Sequence, residues 1–364
     1  MKRPNTRSAF TLIELLVVVA IISLLISILL PSLTCARAAA KAAKCGVQLN
    51  GIGKGLHAYM AENNEWFPGV NTTGANMRIA LGGSGRGVAG ILRSRHDLPV
   101  QTWDWMSPIL RYDTQLGGNR AERFQTLVNY YQCPDAAGVN SKPYSGSSPP
   151  DASDFRDLSF DSVSYLMPDS FSRWGGSTVT GRTDDYFGPG AAVVLNPSGF
   201  SVDTREYRSR LGDVGVPGEK IFAADGTRFL PDNDLLDFDH DWNPTYFGSF
   251  ASSGGWWCGS TAYGVRSGSA NWDGDAVSAG ASNPDAQGRN LILSYRHGCV
   301  SGSLPTDCQS NKGAINSLFF DGHVARLTDR ESREIKPWYP KGSIVRSSGA
   351  SQGMTRVPAG SEVP

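Results

Sequence analysis

The densest set of potential metal ligands in this chain is acidic: Asp232, Asp234, Asp237, Asp239 and Asp241, within PDNDLLDFDHDWNP. Asp237, Asp239 and Asp241 alternate, so on a loop their oxygens could converge on Ca²⁺, a hard ion that takes several oxygen ligands. The spacing does not complete an EF-hand, because no glycine stands at the sixth position and no glutamate at the twelfth. A solvated acidic loop is the simpler account; His240, inside the cluster, is the donor that would suggest zinc instead. Catalytic patterns are scarcer. G-x-S-x-G, H-E-x-x-H and a glycine-lysine phosphate loop are all missing, and no histidine, aspartate or serine sits in a recognisable nucleophile setting. Gly85-Arg86-Gly87-Val88-Ala89-Gly90 is formally G-x-G-x-x-G, but its flanks lack the strand and helix that a dinucleotide site requires, so it reads as a glycine-rich loop. Trp256-Trp257 could line a face for carbohydrate or a protein partner, although buried packing is the default for tryptophan. The chain reads as a non-enzyme with no cofactor beyond possible Ca²⁺.

The most unusual titratable group is Glu14. It is the only charge from Phe10 to Leu33, FTLIELLVVVAIISLLISILLPSL, a run long enough to cross a hydrocarbon core of roughly 30 Å. Lys2, Arg3 and Arg7 precede it, which predicts a cytoplasmic N-terminus and a C-terminal body on the far side. A cleaved secretory signal would end its apolar core at a small-x-small site, and here the run ends at Pro31-Ser32-Leu33. A plain anchor leaves the glutamate unexplained, since a carboxylate among leucines costs several kcal/mol without a positive partner. Cleavage before Phe10 would create an α-amino group, and the amine of a neighbouring subunit could then neutralise Glu14.

Ala9-Phe10-Thr11-Leu12-Ile13-Glu14-Leu15 resembles the cleavage and methylation site of type IV prepilins and pseudopilins. The resemblance implies that a prepilin peptidase cuts between Ala9 and Phe10 and methylates Phe10. It also implies that Glu14 sets subunit register in an assembly and that Pro31 kinks the helix. Ala9 stands where the family usually has glycine.

Beyond Pro31 the alanine-rich sequence favours helix. Cys45, Leu49, Ile52, Leu56 and Tyr59 follow a 4-3-4-3 spacing, which predicts a stem helix to about Asn63 with one stripe on the body. Gly46, Gly51, Gly53 and Gly55 weaken that helix and would admit close approach of other backbone. Cys35 and Cys45 would lie about 15 Å apart on it and cannot bond to each other, whereas Cys45 could reach a body cysteine such as Cys133. Short β-like runs then recur at 162–166, 191–195, 220–223, 291–295, 314–320 and 323–327, with turn-rich sequence between them. In the last pair, Asp321-Gly322 stands where a two-residue hairpin turn would fit.

That hairpin carries a second resemblance. Many prepilin-like proteins with large bodies end in a histidine, nine intervening residues and Asp-Gly, usually followed by His-Val. Here His297 resembles the beginning and Asp321-Gly322-His323-Val324 the end, but 23 residues separate His297 from Asp321. The surplus holds Cys299 and Cys308, predicted to clip it into a loop of about ten residues, worth roughly 2–3 kcal/mol on the chain-entropy model. Trp103-Asp104-Trp105 through Tyr112, and Lys220 to Gly226 (KIFAADG), also resemble this group.

Balanced charge, 34 basic against 34 acidic residues, excludes bulk attraction to nucleic acid, and 42 glycines with 21 prolines favour a loop-rich body. The expected fold is α+β and pilin-like: a long N-terminal transmembrane and stem helix packed on an antiparallel β-sheet body with long loops. Its expected parts are a leader (1–9), a membrane helix (10–33), a helical stem (34–63), an extracytoplasmic body (64–338) and a flexible tail (339–364). The expected function is a pilin-like or type II secretion pseudopilin-like subunit of the inner membrane, with the prepilin peptidase and other subunits as partners. An anchored carbohydrate- or protein-binding module, or an anchored metal-dependent hydrolase, are the alternatives.

Overall fold

The computed structural model describes residues 11–68, 105–111, 115, 117–135, 142–143, 154, 159–160, 164–168, 171, 193–195, 200–203, 207–226, 251–252, 258–259, 289–290, 296–298, 313–332, 334–345, 351–352, 355–356 and 358–364. Helix α1 (Leu12–Glu62) runs unbroken for 51 residues, about 76 Å. Its start is a reciprocal capping box: the Thr11 side chain accepts from Glu14 N, while Glu14 Oε2 accepts from Thr11 N (2.9 Å) and Thr11 Oγ1 (2.8 Å). Pro31 lies within the helix, where its ring lacks the N–H that would bond the carbonyl of residue 27. The helix ends at Asn63, whose N–H returns to Tyr59 O and Met60 O. Asn64 and Glu65 follow with φ of 51° and 67°, a left-handed pair that turns the chain back onto the body.

From Leu12 to Leu33 every side chain of α1 is exposed, and among the described residues only α1, through this segment, is long and apolar enough to cross a bilayer. The predicted stripe, Cys45, Leu49, Ile52, Leu56 and Tyr59, is buried against the body together with Met60. Two of the four glycines are needed for that contact. A Cβ on Gly55 would stand 2.7 Å from Ile109 Cγ2 and 3.0 Å from Ile109 O, and one on Gly53 would stand 2.9 Å from Leu318 Cδ1. Ile109 belongs to α2 (Met106–Leu110), and α3 (Arg120–Tyr130) follows it, capped by the Asn119 side chain accepting from Glu122 N.

The principal sheet contains β1 (Tyr165–Pro168), β2 (Ile221–Asp225), β3 (Ala251–Ser252), β4 (Ala314–Phe319) and β5 (Val324–Thr328). Their spatial order is β5-β4-β2-β1-β3, antiparallel throughout except for the short parallel pair β1·β3. Strands β2 and β4 are buried at every residue, and α1 packs mainly on β4 and also touches the edge strand β5, so the stem lies over the hairpin side of the sheet. This is the expected α+β arrangement of a long apolar helix on an antiparallel body. Phe67, Trp105, Phe171, Phe222 and Phe320 interlock beside it, mostly edge to face, with ring centroids 4.8–6.4 Å apart.

Two expectations need correction. The β4–β5 hairpin has a three-residue loop rather than a two-residue turn. Gly322 N donates to Phe319 O and Phe319 N to His323 O, with Gly322 at φ 90°, the left-handed position that such a loop assigns to glycine. Nor do the described residues after Trp338 fray. Gly342 N donates to Val363 O, Val363 N donates to Ser343 O, and Lys341 N donates to Val214 O. Tyr339 and Val363 are buried, so apolar side chains at both ends of this segment hold it against the body.

Candidate functional site

Two regions hold the residues with chemistry to consider. In the first, at the head of α1, Glu14 is exposed and spends its carboxylate on the capping box; Ala9 and Phe10 lie outside the described residues. Because the box uses only Thr11 and Glu14, removal of residues 1–9 would leave it whole. The Thr-x-x-Glu spacing was legible in the sequence as a helix start and was not read as one.

The second region is a buried polar cluster where the stem crosses the sheet. Antiparallel register sets Tyr165 opposite Asp225, and Asn316 N on β4 donates to Asp225 Oδ2 (2.6 Å). Three neighbouring strands thus present polar side chains in one row beneath α1. Asn316 Nδ2 donates to Ala42 O (3.0 Å), and Tyr165 Oη donates to Gln48 Oε1 (2.7 Å) and lies 3.3 Å from Cys45 O. Gln48 Nε2 in turn donates to Tyr130 O and Gln132 O, drawing the end of α3 to the helix. Cys45 and Cys133 are joined by a disulfide, and Cys133 N donates to Ser164 Oγ (3.0 Å). Cys35 is disulfide-bonded as well.

His297 occupies the centre of this cluster. A two-bond bridge with Ala314 extends the edge of β4 and fixes its backbone. Its ring lies between two carboxylates, Nδ1 3.1 Å from Asp135 Oδ2 and Nε2 2.8 Å from Asp225 Oδ2. Lys41 Nζ on α1 completes the chain at 3.0 Å from Asp135 Oδ1. Burial disfavours the imidazolium, but the Asp225 charge and the hydrogen bonds to both aspartates outweigh it and hold His297 up at about 9. Burial likewise works against the Asp135 carboxylate, yet His297 and Lys41 keep it below its ordinary value. Arg296, also buried, donates to Gly226 O (2.6 Å), and Arg326 Nη2 donates to His297 O (2.9 Å). With both ring nitrogens engaged, the imidazole has no face left for general-base work. Its arrangement suits a latch, fastening stem, sheet and the 133–135 segment together.

The resemblance set His297 and Asp321 at the two ends of one sequence motif; in the structure they do not meet. His297 lies beside Ala314 at one end of β4 and Asp321 just beyond Phe319 at the other, roughly 20 Å of strand apart. Asp321 accepts from His323 N (3.1 Å) and pairs with His323 Nδ1, as a turn residue does. Gly322 abuts the stem, since Asn50 Nδ2 lies 3.5 Å from its carbonyl and a Cβ there would meet His57 Nε2 at 3.1 Å. The true partners of His297, Asp135 and Asp225, were not singled out from sequence. An acid closing the otherwise apolar run Ile221–Asp225 was the available signal. Asp237, Asp239, Asp241, Cys299, Cys308, Trp256 and Trp257 lie outside the described residues.

A family model described as the prokaryotic N-terminal methylation motif matches residues 4–30. It marks the chain as type IV pilin-like at its N-terminus, and with the exposed apolar half of α1 it fits a membrane-anchored protein. No curated protein and no solved structure matches the chain. The match supports a pilin- or pseudopilin-type structural subunit processed by prepilin peptidase, and it ends before the body begins.

Proposed function

We propose that this chain is a large-bodied pilin-like or pseudopilin-like subunit, cut between Ala9 and Phe10, N-methylated on Phe10, and assembled with other subunits through the first half of α1. The match to the methylation motif over residues 4–30 carries the reading. The apolar surface from Leu12 to Leu33, left uncovered by the chain's own body, supports it, because that surface needs lipid or neighbouring helices. Lys2, Arg3 and Arg7 favour a cytoplasmic leader in the inner membrane, and the Cys45–Cys133 disulfide favours a body in an oxidising compartment outside it. In this reading Glu14 meets the methylated amine of a neighbour, a bend at Pro31 adjusts the helix, and the latch at His297 holds the body at a fixed angle to the stem.

The test is the N-terminal mass and sequence of the mature protein, with and without the prepilin peptidase. A chain beginning at N-methyl-Phe10 only when the peptidase is present is expected. A mature chain that keeps residues 1–9 in the presence of the peptidase would remove the processing reading and leave an ordinary anchor.

A further inference from the structure

We propose that reduction of Cys45–Cys133 opens a site for one tetrahedral divalent ion of the zinc class, held by both sulfurs, His297 Nε2 and Asp225. The two sulfurs and His297 Nε2 lie within 4.8 Å of one another, and all three residues are buried. Cys133 Sγ is 3.9 Å from His297 Nε2, near the separation of about 3.5 Å that two ligands adopt on tetrahedral zinc. The fourth donor borders this trio at the histidine. Asp225 Oδ2 approaches the same ring nitrogen, and Asp225 Oδ1, on a fully buried side chain, has no hydrogen-bond partner among the described residues. A buried carboxylate oxygen without a partner is costly in a folded chain and finds one in a bound cation.

The surroundings also suit a metal. His297 Nδ1 is held by Asp135, which Lys41 holds in turn, the carboxylate–imidazole arrangement that orients histidine ligands and raises their basicity. Two thiolates, one carboxylate and a neutral imidazole around a dication leave one net negative charge, and the buried Arg296 guanidinium beside Asp225 offsets it. Thiolate with imidazole selects zinc over calcium or magnesium. The chemistry balances simply. Two equivalents of a thiol reductant convert the disulfide to two cysteine thiols and are themselves joined as a disulfide. Zinc then displaces both thiol protons and the Nε2 proton to solvent. Disulfide and ion are therefore alternative states of the same two sulfurs, and either one would staple α1 to the 133 segment.

The experiment uses the full-length chain in detergent, reduced with excess 2-mercaptoethanol under inert gas, freed of reductant and given zinc chloride. Elemental analysis should find one more zinc per chain after reduction than before. That gain should vanish in Cys45→Ser/Cys133→Ser, persist in Cys299→Ser/Cys308→Ser, and bind about 10–100-fold more weakly in Asp135→Asn. Cobalt(II) supplies a readout on the unmutated chain, with thiolate charge-transfer and intense tetrahedral bands expected. No gain on reduction, a gain that survives loss of Cys45 and Cys133, or a weak octahedral cobalt spectrum would overturn the proposal.

Discussion

From Leu12 to Leu33, α1 buries nothing, whereas between Cys45 and Met60 it buries eight residues, two of them glycines chosen for closeness. The same helix thus serves two solvents. Its first half is apolar all round and would be satisfied by lipid or by other helices. Its second half carries a single stripe, covalently fastened at Cys45 and ringed by hydrogen bonds from Asn316, Tyr165 and Gln48. Substitutions in the first half should therefore change assembly without changing body stability, and substitutions in the second half should do the reverse.

The strongest break in that contrast comes from the disulfide. Cys45→Ala/Cys133→Ala opens a loop with a sequence separation of 88, which on the chain-entropy model costs about 4–5 kcal/mol, read by denaturant unfolding in detergent. Next comes Asp225→Ala. It leaves the His297 imidazolium half-paired and Asn316 N without its acceptor, and should cost about 3–5 kcal/mol in the same assay. A gentler route to the latch is pH, in the disulfide-bonded protein. His297 faces Asp225 and Asp135, with Arg296, Lys41, Arg326 and Tyr165 around it. Because its folded value is raised from 6.5 to about 9, its contribution is complete below about pH 6.5 and is lost as pH rises through 9. A melting temperature that rises over that interval would count against a charged His297. Gly55→Ala should cost about 1–3 kcal/mol, since its methyl would press on Ile109 Cγ2 and on the Ile109 carbonyl oxygen of α2.

The smallest stability effect sharpens the other side. Glu14→Ala removes both the N-terminal cap, worth about 1 kcal/mol of local helix, and the charge assigned to subunit register. Glu14→Gln keeps the capping geometry and loses only the charge. If register is the role that matters, both variants should lose filament incorporation while body unfolding stays unchanged. Incorporation restored by glutamine would reassign Glu14 to helix capping alone.

What the sequence disclosed follows the range of each interaction. The stripe from Cys45 to Tyr59 and the β4–β5 pairing rest on periods of a few residues, and both stand where expected. The capping box at Thr11 was equally local and equally legible. Helix geometry excluded Cys35 as the partner of Cys45 and left a body cysteine such as Cys133 open; the choice among the body cysteines came only with the structure. His297 was different. Its contact with Asp135 spans 162 residues, and no local pattern encodes which buried acids a histidine will meet. A resemblance in motif residues linked it to Asp321, whereas strand β4 holds the two at opposite ends.

The cross-link at Cys45 also decides how the molecule would bear tension. A pull applied at the membrane end of α1 divides at Cys35, whose own disulfide carries part of it; the part that continues along the helix and is resisted after residue 133 crosses from Cys45 to Cys133. Residues 46–132, including the rest of α1, α2 and α3, lie outside that covalent load path. Stretching would therefore spare that shielded span, and reducing the Cys45–Cys133 bond would open it to the share of the load that reaches Cys45.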